Sequence, residues 1–361
     1  MRKKTLWMVL GMMVAVASVA CEPEESGGSG AAAGSGGSGD GGGTGSECDL
    51  PAGAEVVMPW KKLEPVDPTG SPGPAYGLAN DGTSVYVNFF DVLVKMPLAG
   101  GEVTTVYKST KELTTGFRTF ASTTGIYVFE TGRETVLLPY DGSAPKPVTL
   151  PFPGNFSVVQ FDPASDTFWA EVRDFEARTI TLFKAKAGAA SAETVLGPLD
   201  SLYDESPRWF AAEDRVFVQA FKPPYPIYTA QPGGALASFP VDPPSAGIIG
   251  LLGSHLFYSS KDISRLGVYR IPVAGGTAQR VYSSYTTAGT FGGGRWKTPG
   301  AIYLNDATNL LKIPENGEGK LLSSVPTGAC TTHEVMAHGG YVYTVTFRSS
   351  TGENTVWRIK E

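Results

Sequence analysis

Three arginines, Arg118, Arg208 and Arg295, stand eight or nine residues before an aromatic position that recurs along the chain, and Trp209 and Trp296 directly follow two of them. Tyr76, His333 and Glu334 occupy the corresponding place in two further copies. Guanidinium groups grip planar anions bidentately, so a ring of them suits a carboxylate, a phosphate or a sugar acid. Trp and Tyr rings alongside suit stacking on a sugar. The competing arrangement is structural: the aromatics pack between repeated units and the arginines pair with local acids such as Asp204 and Glu205. Other chemistry is thin. His333 and His338 flank Glu334 but stand five apart, whereas a helical zinc-protease site needs its histidines four apart. No G-x-S-x-G elbow occurs outside the Gly/Ser-rich segment, and Gly292-Gly293-Gly294 lacks the Lys-Ser/Thr of a phosphate loop. No carboxylate cluster offers the oxygens that calcium requires. The expectation is therefore no catalytic residue, no metal and no cofactor.

These side chains must be positioned by something other than helices. Of 361 residues, 45 are Gly and 27 are Pro, about one residue in five, and 18 Phe, 15 Tyr and 6 Trp accompany them. The usual Gly plus Pro share is nearer one in eight, roughly. Such a composition reads as turn-rich, aromatic-rich β structure. Twenty-nine basic against 35 acidic residues give a net charge of −6, which argues against a nucleic-acid partner held by counterion release. Three cysteines are too few for a disulfide scaffold.

An apolar residue followed by an aromatic recurs at Val85-Tyr86, Ile126-Tyr127, Phe168-Trp169, Val216-Phe217, Leu256-Phe257, Ile302-Tyr303 and Val342-Tyr343. The aromatics are spaced by 41, 42, 48, 40, 46 and 40 residues. An apolar–basic–apolar–Pro run follows in Val94-Lys95-Met96-Pro97, Tyr269-Arg270-Ile271-Pro272 and Leu311-Lys312-Ile313-Pro314, with degenerate copies at Phe183-Lys184-Ala185 and Trp357-Arg358-Ile359. Then comes a glycine turn, such as Ala99-Gly100-Gly101 or Ala274-Gly275-Gly276, and an alternating strand such as Val103 to Tyr107. Glycines supply the positive φ of tight hairpins, and proline ends a strand because it cannot donate to the ladder. With a weaker strand before each aromatic, as in Ala75 to Ala79, each unit has four antiparallel strands. Four strands every 40–45 residues, repeated seven times, predict an all-β, seven-bladed β-propeller over 49–361. The units resemble YWTD, NHL and TolB-like propeller repeats, with Tyr86-Val87-Asn88 and Tyr303-Leu304-Asn305-Asp306 standing where the Tyr-Trp-Thr-Asp family motif would be. That resemblance implies architecture and leaves activity open.

The seventh unit, Tyr341 to Glu361, stops after its third strand, while an unassigned apolar strand, Val56 to Trp60, precedes the first unit. The economical closure uses this N-terminal strand as the outer strand of the last blade. Cys48 lies just before that strand and Cys330 just before the last blade, so a disulfide between them would clasp the ring.

Residues 1–21 carry an export signal: Arg2, Lys3 and Lys4, an apolar middle from Leu6 to Val16, and Ser18-Val19-Ala20 before Cys21. The arrangement resembles the bacterial lipoprotein signal, whose cysteine becomes the acylated first residue; Ser18 stands where that family prefers Leu. Residues 22–48 form a Gly/Ser-rich tether without the apolar content to build a core, with a reach of roughly 25–30 Å. Removing 1–21 leaves 26 basic and 35 acidic residues, so acyl chains rather than a basic patch would hold the membrane. The expected protein is a cell-envelope lipoprotein at the outer membrane or periplasmic face. Its non-catalytic propeller would bind a protein, peptide or glycan on the channel face. The alternative is a propeller enzyme, of lactonase or polysaccharide-lyase type, acting at the channel mouth.

Overall fold

The computed structural model describes residues 48–361 except 62–74, 90–91, 110–116, 131–134, 213, 221, 223–224, 261, 284–294, 307–308 and 327–329, and except the side chains of Ala75, Tyr76 and Glu130. The expected lipidation site Cys21, the expected export signal (1–21) and nearly all of the expected tether (22–48) lie outside the described residues.

The first strand among the described residues is β1 (Glu55–Lys61). Blade 1 is β2 (Ala75–Asn80), β3 (Ser84–Phe89), β4 (Val92–Pro97) and β5 (Thr104–Lys108). Blade 2 is β6 (Phe117–Ala121), β7 (Gly125–Glu130), β8 (Thr135–Pro139) and β9 (Lys146–Val148). Blade 3 is β10 (Phe156–Asp162), β11 (Thr167–Asp174), β12 (Thr179–Lys186) and β13 (Glu193–Leu199). Blade 4 is β14 (Arg208–Ala211), β15 (Val216–Gln219), β16 (Ile227–Ala230) and β17 (Ala237–Ser238). Blade 5 is β18 (Ser245–Leu252), β19 (His255–Ser260), β20 (Val268–Pro272) and β21 (Gln279–Tyr282). Blade 6 is β22 (Arg295–Lys297), β23 (Ala301–Asn305), β24 (Asn309–Pro314) and β25 (Lys320–Ser324). Blade 7 is β26 (Cys330–His338), β27 (Tyr341–Arg348) and β28 (Glu353–Lys360), completed by β1. The chain is thus an all-β, seven-bladed propeller, and the N-terminal strand closes the last blade: Glu55 pairs with Arg358, Val56 with Trp357 and Met58 with Val356.

The two repeated sequence markers form one cross-strand contact. The aromatic of the second strand pairs directly with the basic residue of the third in Tyr86–Lys95, Trp169–Lys184, Phe257–Arg270, Tyr303–Lys312 and Tyr343–Arg358. Directly opposite residues share a face, so the ammonium can cover the ring. Lys95 Nζ lies 5.1 Å from the Tyr86 centroid, Lys312 Nζ 5.5 Å from Tyr303 and Lys184 Nζ 5.8 Å from Trp169. The glycine pair after the third strand meets its expected demand, with φ of 90° and 143° at Gly100 and Gly101.

Burial explains why the aromatic recurs. Seven hydrophobic clusters each bridge one pair of neighbouring blades. Tyr86 packs with Ile126 and Val128 of blade 2, Tyr127 with Phe168 of blade 3, and Phe217 with Ile248 and Tyr258 of blade 5. The marker face of each of these blades therefore looks toward the next one. Second strands are buried along most of their length, and β3 and β23 along all of it, because neighbours cover both faces.

Each seam also carries a polar latch near the axis. Asn88 Nδ2 donates to the Phe117 carbonyl (2.7 Å), Arg118 Nη1 to the Val158 carbonyl (2.9 Å) and Asn305 Nδ2 to the Thr332 carbonyl (2.6 Å). Gln160 holds Ala211 in both directions, donating to its carbonyl and accepting from its N–H at 2.8 Å each. Gln219 Oε1 accepts from Ile248 N (2.8 Å), while Arg295 Nη1 donates to the Ile248 and Ile249 carbonyls (2.8 and 3.2 Å) from the other side. Asn80 Nδ2 reaches Met336 Sδ (3.3 Å) across the closing seam. A disulfide joins Cys48 to Cys330 with the Cα atoms 5.8 Å apart, within the ordinary span of such bonds. It ties the segment before β1 to the first residue of β26.

Candidate functional site: the channel-facing strands

The innermost strands are β2, β6, β10, β14, β18, β22 and β26; β2 meets β6 and β26, β26 meets β22, and β14 meets β10 and β18. A common level on them is the residue opposite the position two after the marker aromatic. It holds Gly77 opposite Asn88, Arg118 opposite Phe129, Ser157 opposite Glu171, Arg208 opposite Gln219 and Gly247 opposite Ser259. In blade 7, Thr332 pairs with Thr346 and Val335 with Thr344, so His333 and Glu334 together face the single residue Val345. That is a β-bulge, a device that re-aims side chains.

The predicted site residues separate at this level. Arg118 and Arg208 lie on the marker face and look toward the next blade. Arg295 pairs with Leu304, one step out of register, and its guanidinium turns back to blade 5. Arg208 and Arg295 therefore flank β18 from opposite sides. Burial first, and then the nearby charge of Arg208, push Arg295 down to about 10. Arg118 and Arg295 use their guanidinium groups on backbone carbonyls of neighbouring blades. Asp204 pairs with Arg178 and Glu205 with Lys222, so the local acids serve other cations.

The tryptophans pack between blades. Trp209 alternates with Arg208 along β14, is buried among Ile180, Leu182 and Val218, and donates its Nε1–H to Glu171 Oε2 at 2.6 Å. Trp296 is partly buried against the clusters on both flanks of blade 7. Tyr76 falls at a register shift of β2, its backbone alone being described.

Glu334 is the unusual member. It is half-buried on the innermost strand, and no hydrogen bond or ion pair meets its carboxylate among the described residues. Burial alone pushes its carboxyl up to about 7. Its backbone carbonyl accepts from Thr344 Oγ1 (2.6 Å), which fixes the bulge. His333 Nε2 is 2.9 Å from Thr331 Oγ1, and burial pulls its imidazole below the usual range. A carboxyl half shielded from water and left without a donor presents an unfilled hydrogen-bonding and charge demand to whatever enters.

No family model matches the chain, and no curated protein does. Solved structures do. The chain is similar to PorZ, titled an essential surface component of the type-IX secretion system of Porphyromonas gingivalis, with a TM-score of 0.52 and 10% identity over 82% of this chain and 39% of that one. It thus spans well under half of PorZ. A structure titled YCF48 bound to D1 peptide matches with a TM-score of 0.54 and 10% identity, covering 87% of this chain and 98% of that one. The propeller domain of the Trilobed protease from Pyrococcus furiosus, titled as having an open velcro topology, matches with a TM-score of 0.52 and 13% identity, over 80% and 96%. At such identities the likeness is one of fold.

Proposed function

We propose that the chain is an exported, lipid-anchored protein of the cell envelope, at the outer membrane or periplasmic face. In this reading its propeller is a non-catalytic binding module, and a protein, peptide or glycan ligand seats at the channel mouth. The observation that carries the binding half is Glu334: a half-buried, unpartnered carboxyl on a bulge of an innermost strand, at the level of Arg208. Keeping such a group costs stability, and a ligand donor or cation would relieve that cost. The Arg2–Cys21 pattern and the Gly/Ser tether carry the anchoring half. PorZ, by its title, is a surface component, and YCF48 has been solved with a peptide, so an envelope location and peptide binding each have a precedent in this fold.

Two experiments test the halves separately. Labelled palmitate should enter the unmutated chain and be absent from Cys21→Ser; labelling of both alike would contradict the anchor. Peptide and glycan arrays probed with the detergent-solubilised full chain should return ligands whose binding falls in Glu334→Gln. Ligands indifferent to that change would contradict the channel site. Glu334 also favours the enzyme reading in one respect, because a carboxyl titrating near neutrality suits proton transfer. That reading requires turnover abolished, rather than binding weakened, in Glu334→Gln.

A further inference from the structure

Ile248, on the innermost strand of blade 5, is held from both sides along one edge. Its N–H donates to Gln219 Oε1 of blade 4 at 2.8 Å, and its carbonyl accepts from Arg295 Nη1 of blade 6 at 2.8 Å. An innermost strand has one edge paired to its second strand, so both contacts lie on the other edge, which faces the axis. Gln219 is buried, with its Nε2 3.3 Å from Ser245 Oγ, so its side chain is fixed across the seam. Arg208 stands directly opposite Gln219 and shares its face, which carries its longer side chain toward β18 as well. Two guanidinium groups thus approach one strand edge from the blades on either side.

Arg295 has no counter-ion among the described residues. The one charge that acts on it is that of Arg208, which is of the same sign. Its Nη1 is engaged by the Ile248 and Ile249 carbonyls, while its Nε and Nη2 meet no acceptor among the described residues and are not sealed from solvent. Nearby acids are committed elsewhere: Glu171 pairs with Arg173, and Asp242 and Asp262 both pair with Arg265. Glu334 does not compensate Arg295 either, since burial alone moves its carboxyl. The strand edge between the two arginines also has room. At the level that holds Arg208 in blade 4, blade 5 has Gly247, where a Cβ would meet only Ser259 Oγ, at 3.7 Å. At Gly250 a Cβ would meet only Ile302 Cδ1, at 3.5 Å. Both are ordinary contacts, so packing does not force glycine at either place, and β18 carries no side chain there.

We propose that Arg208 and Arg295 form an oxyanion subsite over β18, and that the channel ligand carries a carboxylate or phosphate group that seats there. The inference rests on the channel-mouth reading for its place and narrows the ligand to an acid. Guanidinium groups only donate, so the group between them must accept, and two positive charges favour a negative acceptor. A neutral sugar could accept through its hydroxyls, but it would leave the charge of Arg295 uncompensated. Partial burial strengthens the attraction, because water and salt screen a half-buried pair less than an exposed one.

The test follows the melting temperature of the full chain in detergent at pH 7.5, in sodium chloride, sodium phosphate or sodium acetate of equal ionic strength. Phosphate or acetate should raise it saturably above the chloride value, as a ligand of the folded state does. A gain with acetate identifies a carboxylate, and a gain with phosphate alone a phosphate group. Arg208→Gln and Arg295→Gln should each raise the half-effect concentration about tenfold or more. Each variant is compared with its own chloride value, because Arg295 also latches the seam. Arg178→Gln, which removes an equal charge from an exposed position, should leave the half-effect concentration unchanged. Should Arg295→Gln fail to fold, Arg208→Gln decides alone. The proposal is overturned if neither anion exceeds chloride, or if the gain survives in both arginine variants. An array ligand weakened in Glu334→Gln while neither anion exceeds chloride would sink this subsite and leave the channel reading standing. Anion gains lost in both arginine variants, with no array ligand weakened in Glu334→Gln, would do the reverse.

Discussion

Arg118 Nη1 lies 2.9 Å from the Val158 carbonyl oxygen, so a side chain placed by its spacing at a channel mouth also latches blade 2 to blade 3. Arg295 does the same to Ile248 and Ile249 of blade 5. Loss of binding in either variant would thus mix ligand chemistry with loosened seams, and Glu334 is the cleaner probe of the channel.

The latches differ in burial, and their worth should differ accordingly. Arg118 is exposed, so Arg118→Ala should cost about 1 kcal/mol or less. Gln160→Ala strands both the N–H and the carbonyl of Ala211 and should cost about 2–3 kcal/mol. Urea unfolding of the two variants checks the order; equal losses would contradict the seam account.

Glu334 should make stability depend on pH in a defined sense. Its folded pKa of about 7 lies above the ordinary 4.5, so the folded state favours the protonated form. The penalty is absent below pH 4.5, grows as pH rises from 4.5 to 7, and is complete above 7, at about 3 kcal/mol at most. Glu334→Gln should therefore raise the melting temperature at pH 8 and leave it unchanged at pH 4.5. A lower melting temperature for Glu334→Gln at pH 8 would show that the carboxylate has a partner.

The Cys48–Cys330 bond closes a loop of 282 residues and ties β26 to the segment before β1. In the chain-entropy model such a bond stabilises by up to about 5 kcal/mol. Reduction, or a Cys48→Ala/Cys330→Ala double variant, should lower the unfolding midpoint. It should also expose the β1 segment to protease before the other blades. Uniform cleavage along the chain would mean that β1 is not the weak point of the closure.

The architecture was legible because each blade repeats one physical unit. In every blade an aromatic fills a seam, and in five of the seven it sits opposite a cation. The site was less so, because counting back from the aromatic presumes unbroken register. Bulges in β2, β10, β18 and β26 shift that count, and Arg295 stands eight residues before Tyr303, whereas Arg118 and Arg208 stand nine before theirs. That single residue sends Arg295 to the opposite face. Trp209, adjacent to Arg208, had to face the other way by strand alternation alone.

Isothermal titration of the full chain in detergent with its tightest array ligand, at pH 7.5, puts the channel-mouth reading at greatest risk. Glu334→Gln and Arg208→Ala should each weaken the ligand about tenfold or more, roughly 1.4 kcal/mol, with melting temperatures no lower than that of the unmutated chain for Glu334→Gln. Unchanged affinity in both variants would mean that the ligand is held elsewhere and that the unpartnered carboxyl on β26 plays no part in holding it.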